Sequence, residues 1–374
     1  MWMPEKGIAY SLVHRDSETF FEEADAGIAI TASHTQNRLW LFEANTDGTL
    51  IIQNEATGSY LSLEEDGDLC MTPRKDEAAS WYAEQMRDGS CRIALAQTGK
   101  YLNVTDGSVT LGARADVWEL RALTLRLNVY YDAAFADTYA QKGIYAVDAL
   151  EKILMENSDG IEGWRGAETF FREELHVRLD LHITDTAHQS YPYAAGCLYQ
   201  DEPLIPCHNC TDAEIDGYGA IEYCQNGYHH KDADHIIRSI PQSDAEFNLL
   251  FTGHRATCAC EVENDGKTKH VNDKSNIFGR AEDIGKGNRC AVFLGAFTDI
   301  LNYNQIKHSA VHEICHLLGA RHHTADENPC LHGFGELTSG SVASEEAYRY
   351  LPICDGCLEK IEKNKANALI GHMG

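Results

Sequence analysis

Residues 1–121 place their apolar positions in short runs, broken by acidic-glycine turns, and the runs recur. IIQNEATGSYLSLEEDGDL (51–69) matches RIALAQTGKYLNVTDGSVTL (92–111): an apolar strand, then T-G-[SK]-Y-L, a second strand, a turn and a third strand. AYSLVHRDSETFFEEADAGIAI (9–30) is a weaker first copy, with Phe20-Phe21 where Tyr60-Leu61 and Tyr101-Leu102 stand. Trp2, Trp40, Trp81 and Trp118 follow at intervals of 38, 41 and 37 residues. Short strands between Gly and Asp turns predict an all-β unit. Copies of about 40 residues cannot bury a core singly, so they predict closure around a threefold axis. The tryptophans and the Tyr-Leu pairs would supply the shared core.

The pattern changes from residue 122. LTLRLNVYY (123–131) alternates apolar and polar and predicts a half-buried strand. Ile144, Val147, Leu150, Ile153 and Leu154 predict one face of a helix. GWRGAETFFREEL is a second amphipathic stretch, and Val177, Leu179, Leu181 and Ile183 alternate in the strand after it. Further strands are predicted at FNLLFTGH (247–254), near 276–282 and at CAVFLGAF (290–297). Strands interleaved with helices predict an α/β (α+β) domain over 122–374. Residues 186–245 break the pattern as a loop-rich insertion with Cys197, Cys207, Cys210 and Cys224, which suit another metal or two disulfides equally.

Composition narrows the partners. Lys+Arg number 31 against Asp+Glu 58, a formal charge of −27. A field of that sign repels phosphate backbones and argues against nucleic acid. No apolar run reaches the ~20 residues of a membrane span. The start, MWMPEKGIAYSLVHRD, lacks an apolar signal core, which leaves a cytoplasmic protein or a secreted one whose leader has been removed. The 13 cysteines are an odd number, so at least one is unpaired or metal-bound.

The chemistry concentrates in NQIKHSAVHEICHLLGARHH (304–323). His312 and His316 stand i and i+4, so a helix stacks both imidazoles on one face. Glu313 lies beside them, within reach of a metal-bound water. Gly319 sits where the helix must stop and the chain turn, and His322 can return a third imidazole. Three neutral nitrogens around Zn²⁺ leave a fourth position for water.

These residues read H-E-x-x-H-x-x-G-x-x-H, which resembles the metzincin zinc-protease signature. The order of strands before the helix is similar to adamalysin- and archaemetzincin-like catalytic domains. The resemblance implies a zinc endopeptidase acting on protein or peptide, with His312, His316 and His322 on the catalytic zinc and Glu313 as general base. It also implies that an edge strand near 276–282 pairs with extended substrate. One family feature departs: after His322 the only methionine is Met373, too late for the usual turn beneath the zinc, where Leu331 or Leu337 would stand in.

His323, Cys330, Cys354 and Cys357 resemble the structural zinc set of archaemetzincins, with His323 replacing a cysteine. Disulfides from Cys330 to Cys354 or Cys357 are the competing use. Cys315 reads as a packed core thiol, while Cys258, Cys260 and Cys290 read as bridges or buried thiols.

The front of the chain resembles the ricin-type β-trefoil. Its Q-x-W signature survives only as Arg38-Leu39-Trp40, Ala79-Ser80-Trp81 and Asp116-Val117-Trp118. That resemblance implies carbohydrate binding, and glycoprotein substrates for the fused enzyme. A protein-docking scaffold is the other use of the fold. The rival for the whole chain is a lectin-like protein with a structural or inactive zinc module.

Overall fold

The computed structural model describes residues 3–24, 27–32, 35–157, 165–185, 237, 240–241, 247–253, 259–264, 267–272, 278–321, 323–324, 333–334 and 353–370. The front of the chain forms three lobes of four strands. The first holds β1 (Tyr10–His14), β2 (Thr19–Ala24), β3 (Gly27–Thr31) and β4 (Leu39–Ala44). The second holds β5 (Leu50–Asn54), β6 (Tyr60–Leu63), β7 (Leu69–Thr72) and β8 (Trp81–Gln85). The third holds β9 (Cys91–Leu95), β10 (Tyr101–Thr105), β11 (Ser108–Gly112) and β12 (Trp118–Ala122). Outer strands of the lobes pair antiparallel in a closed ring, β1–β4–β5–β8–β9–β12 and back to β1. The middle strands make three hairpins, β2–β3, β6–β7 and β10–β11. This is a β-trefoil, and closure leaves its ring without an edge.

The repeat read from the sequence is the repeat of the fold. Tyr10 faces Trp40, Leu50 faces Trp81 and Cys91 faces Trp118 at the same register in each lobe. All three indoles are fully buried, as are Phe21, Leu61 and Leu102. Trp40 Nε1–H donates to the Phe21 carbonyl at 2.9 Å, and Trp118 Nε1–H to the Leu102 carbonyl at 3.1 Å. Each indole buries about 150–250 Å², or about 4–6 kcal/mol before entropy is charged. Trp2 lies outside the described residues.

Different groups replace the signature glutamine. Asp116 accepts the Val104 N–H at 2.7 Å and anchors the third hairpin. Arg38 is fully buried with its guanidinium over the Phe20 ring, 4.1 Å from the centroid. Ala79 contributes only its backbone, donating its N–H to the Leu61 carbonyl at 3.1 Å.

The first compact unit is discontinuous in sequence. It joins Met1–Leu125 with Phe171–Arg178 and Lys365–Gly374. Backbone bonds make the join: Ala9 N–H donates to the His176 carbonyl and Arg178 N–H to the Leu123 carbonyl. Lys365, fully buried, donates to Glu55 at 2.6 Å and to the Leu175 carbonyl at 2.9 Å.

The second unit, Arg126–Phe170 with Leu179–Asn364, is α/β in its described part. Its elements include most of β13 (Thr124–Tyr131), α1 (Ala133–Ala140), α2 (Ala146–Leu154), the start of α3 (Ala167–Leu175), most of β14 (Arg178–Asp185) and β15 (Phe247–Thr252). A hairpin of β16 (Ala259–Asn264) and β17 (Lys267–Asn272) follows, then β18 (Gly279–Ala281), β19 (Arg289–Phe293) and α4 (Tyr303–Leu317). Two short strands, β20 (His323–Thr324) and β21 (Gly333–Phe334), precede α5 (Asp355–Ile370). The sheet order is β14–β13–β15–β19–β18. β13, β15 and β19 run parallel, and β18 closes the edge antiparallel. Among the described residues no helix is long and apolar enough to cross a membrane.

Several local readings change here. From Leu127 onward β13 is buried on both faces, because a central parallel strand is covered from both sides. Val147 is 38% exposed, since α2 begins only at Ala146 and its first turn faces water. Among the described residues, the strand expected near 276–282 is β18, and the one expected at 290–297 is β19, which ends at Phe293. Most of residues 186–245, with their four cysteines, lie outside the described residues.

Helix α1 has no legible period and starts on a cap. Asp132 is buried, accepts the Phe135 N–H at 2.8 Å and the Thr252 hydroxyl at 2.5 Å, and so ties α1 to the end of β15. Asp132→Ala is expected to cost about 1–2 kcal/mol. Asp132→Asn should recover part of that, and urea denaturation measures both.

Candidate metal centre

Helix α4 packs against β18, β19 and α2, and its ending is built into the sequence. Gly319 N–H donates to the His316 carbonyl at 2.9 Å and Ala320 N–H to the Cys315 carbonyl at 3.0 Å. This is the Schellman arrangement, with Gly319 at φ +105°. A Cβ at Gly319 would also collide with the Asn364 amide. Gly319→Ala should lower the melting temperature, because the backbone alone costs about 1–2 kcal/mol, and should weaken any metal binding that depends on His316. Thermal melts and metal content check both.

The turn also prepares His316. This residue is 4% exposed, and its Nδ1 lies 2.7 Å from the Ala320 carbonyl. A carbonyl only accepts, so Nδ1 carries the proton and the neutral ring keeps its Nε2 lone pair. That is the tautomer control usual around metal-bound histidines. The His312 ring, half-buried, stands edge-on to the His316 ring with centroids 4.6 Å apart.

Glu313 is 5% exposed and turns toward β18. Burial pushes its carboxyl up to about 8, against the Arg280 charge and the Ala281 N–H, which favour the ionised form. A bound dication would act in the same direction as those two.

His308, one turn before His312, was not singled out by the spacing argument. It is 8% exposed, and its ring lies 6.1 Å from the His312 ring. Neither ring nitrogen has a hydrogen-bond partner among the described residues. Its i−4 spacing from His312 was the available signal.

The other residues expected to bind metal divide. His322 and Cys330 lie outside the described residues, as does Met373. The His323 backbone is in β20, paired with Gly333 of β21. Cys354 immediately precedes α5, and Cys357, 1% exposed, sits in the first turn with its Sγ 3.8 Å from the Arg321 carbonyl. That carbonyl is two residues before His323. Among the described residues no group of three or more His, Cys, Asp or Glu side chains is gathered to hold a metal. His312 and His316 are brought together, while the side chain of Glu313 lies against Gly279 and Ala281 of β18. Cys315 and Cys290 are buried, and burial raises the Cys290 thiol well above its ordinary value.

Comparison with known proteins reaches the trefoil. Residues 36–118 match the ricin-type beta-trefoil lectin domain-like family. Among solved structures, a designed threefold-symmetric protein, ThreeFoil, is 21% identical, covering 31% of this chain and 98% of its own, with a TM-score of 0.25. A ricin B-like lectin of Macrolepiota procera, solved with lactose, is 16% identical over 32% of this chain and 98% of its own, with a TM-score of 0.26. A GlcNAcα1-4Gal-releasing endo-β-galactosidase from Clostridium perfringens is 19% identical over 31% of this chain and 32% of its own, with a TM-score of 0.28. No curated protein matches the sequence. Ring closure, the threefold register and the family match together make the front of this chain a ricin-type β-trefoil, lectin-like domain.

Proposed function

We propose that the chain is a zinc-dependent peptide hydrolase whose trefoil binds carbohydrate and holds the enzyme on glycosylated targets. The observation that carries the hydrolase half is the pair His312 and His316 on α4, with the His316 tautomer set by the Ala320 carbonyl and Glu313 between them in sequence. That donor chemistry fits zinc, with His322 as the third ligand by its place in the motif. When bound, the metal supplies a Lewis acid and a water of lowered pKa. Glu313 accepts the proton of the attacking water and passes it to the leaving amine. β18, at the sheet edge, offers an extended peptide those outward backbone groups that Glu313 does not take. Anchoring by the trefoil raises the local concentration of substrate.

A structural zinc on His323, Cys330, Cys354 and Cys357 belongs to the same proposal. The nearness of Cys357 to the chain just before His323 supports it.

A second reading is favoured by the family match itself: a carbohydrate-binding protein whose zinc module is structural or inert. A glycan array and a peptide-library digest, each with and without chelator, separate the two. Chelator-sensitive cleavage supports the hydrolase; glycan binding without it supports the lectin-like protein. Elemental analysis then counts zinc, with two per chain favouring the catalytic and structural pair, one favouring disulfides near the C-terminus, and none removing both zinc assignments.

A further inference from the structure

We propose that Gly279 is a positioning residue for Glu313, and that the outer side of β18 is the cradle holding that carboxylate. The inference rests on the hydrolase reading and deepens it. In the antiparallel ladder, Phe293 N–H donates to the Phe278 carbonyl and Glu282 N–H to the Arg289 carbonyl, both at 2.9 Å. Alternate residues of a strand direct their backbone groups to opposite sides. Residues 278, 280 and 282 therefore face β19, while 279 and 281 face away from it. The Ala281 N–H, unused by the sheet, goes to the Glu313 carboxylate.

Gly279 lies against the same side chain. A Cβ there would fall 2.5 Å from Glu313 Cγ, 2.6 Å from Oε1 and 2.8 Å from Cδ. Gly279 is not among the residues with positive φ, so its backbone alone admits alanine. Glu313 is what excludes a side chain at 279. The carboxylate cannot swing aside at low cost, since it is 5% exposed and held by the Ala281 N–H. A general base must lie within hydrogen-bond reach of the proton it takes, and a misplacement of about 1 Å costs about 10²-fold in rate. Glycine at 279 permits the carboxylate to lie flat against the strand.

The test is a double-variant cycle in the full chain. Gly279→Ala is expected to keep its zinc, to leave KM within about twofold and to lower kcat by about 10²-fold. It should also lower the melting temperature of the metal-free protein by about 2–4 °C and speed hydrogen exchange at the Ala281 amide. In a Glu313→Ala background the same change should leave the melting temperature where it was, because the obstructing carboxylate is gone. An equal drop in both backgrounds, or full kcat in Gly279→Ala, overturns the proposal. A wild-type chain without chelator-sensitive cleavage removes the hydrolase reading, and the melting cycle still decides whether Glu313 excludes a side chain at 279.

Discussion

Glu313→Ala is expected to retain its zinc and to lose peptide cleavage by about 10²–10⁴-fold. In the proposed site the imidazoles do the binding, and His316 should keep its bond to the Ala320 carbonyl when the neighbouring carboxylate is removed. What goes is the one buried acid on this stretch of α4, held at the Ala281 N–H. Glu313→Gln, which preserves shape, should fail equally, because an amide cannot take the proton. The informative pair of measurements is metal content and turnover on the same preparation. Normal cleavage by Glu313→Ala would remove the residue from the mechanism, whereas loss of zinc would make its role structural. His316→Ala is the contrasting control and should lose metal and cleavage together.

Lys365→Ala should destabilise the first unit by about 3–5 kcal/mol, the usual result of stranding one member of a buried ion pair. The Lys365 and Glu55 side chains are 0% and 5% exposed with a 2.6 Å contact. The ammonium also donates to the Leu175 carbonyl. Without it, a carboxylate stays in a dry site with no counter-charge from this lysine. Replacing both partners, Lys365→Met with Glu55→Leu, should recover most of the loss, since an apolar pair of similar volume has no desolvation penalty to offset. Urea unfolding followed through Trp40, Trp81 and Trp118, all buried in this unit, reads the effect. A single variant that unfolds at the wild-type midpoint would show that the pair contributes nothing.

Legibility in the sequence followed the range of the interactions. The T-G-[SK]-Y-L repeats and spaced tryptophans located the three lobes, because each lobe makes the same local turns and contributes the same residues to the core. Leu61 and Leu102 in the repeats, and Phe21 in the degraded first copy, are all fully buried. Helix α2 was harder: Leu150, Ile153 and Leu154 are buried as their period requires, yet Val147 is exposed. Apolar spacing says which residues share a face, not where the neighbouring layer ends. Helix α1 left no periodic signal, since its start depends on the Asp132 cap and its bond to Thr252, 120 residues away.

By itself the sequence determined that the front of the chain is a threefold β unit and that His312 and His316 share a helix face closed by Gly319. Those features follow from spacing along the chain: period two, period 3.6, and a residue without Cβ at a left-handed turn. Only the tertiary structure decided that Glu313 rests against Gly279 and Ala281, that His308 is sealed beside His312, and that Lys365 in α5 meets Glu55 in the trefoil. The Glu313 contacts reach back 34 and 32 positions, and the Lys365–Glu55 pair spans 310. For Glu313 and Lys365 nothing in the local pattern encodes the partner; the packing of a sheet edge against a helix, and the return of Lys365 to the first unit, bring them together.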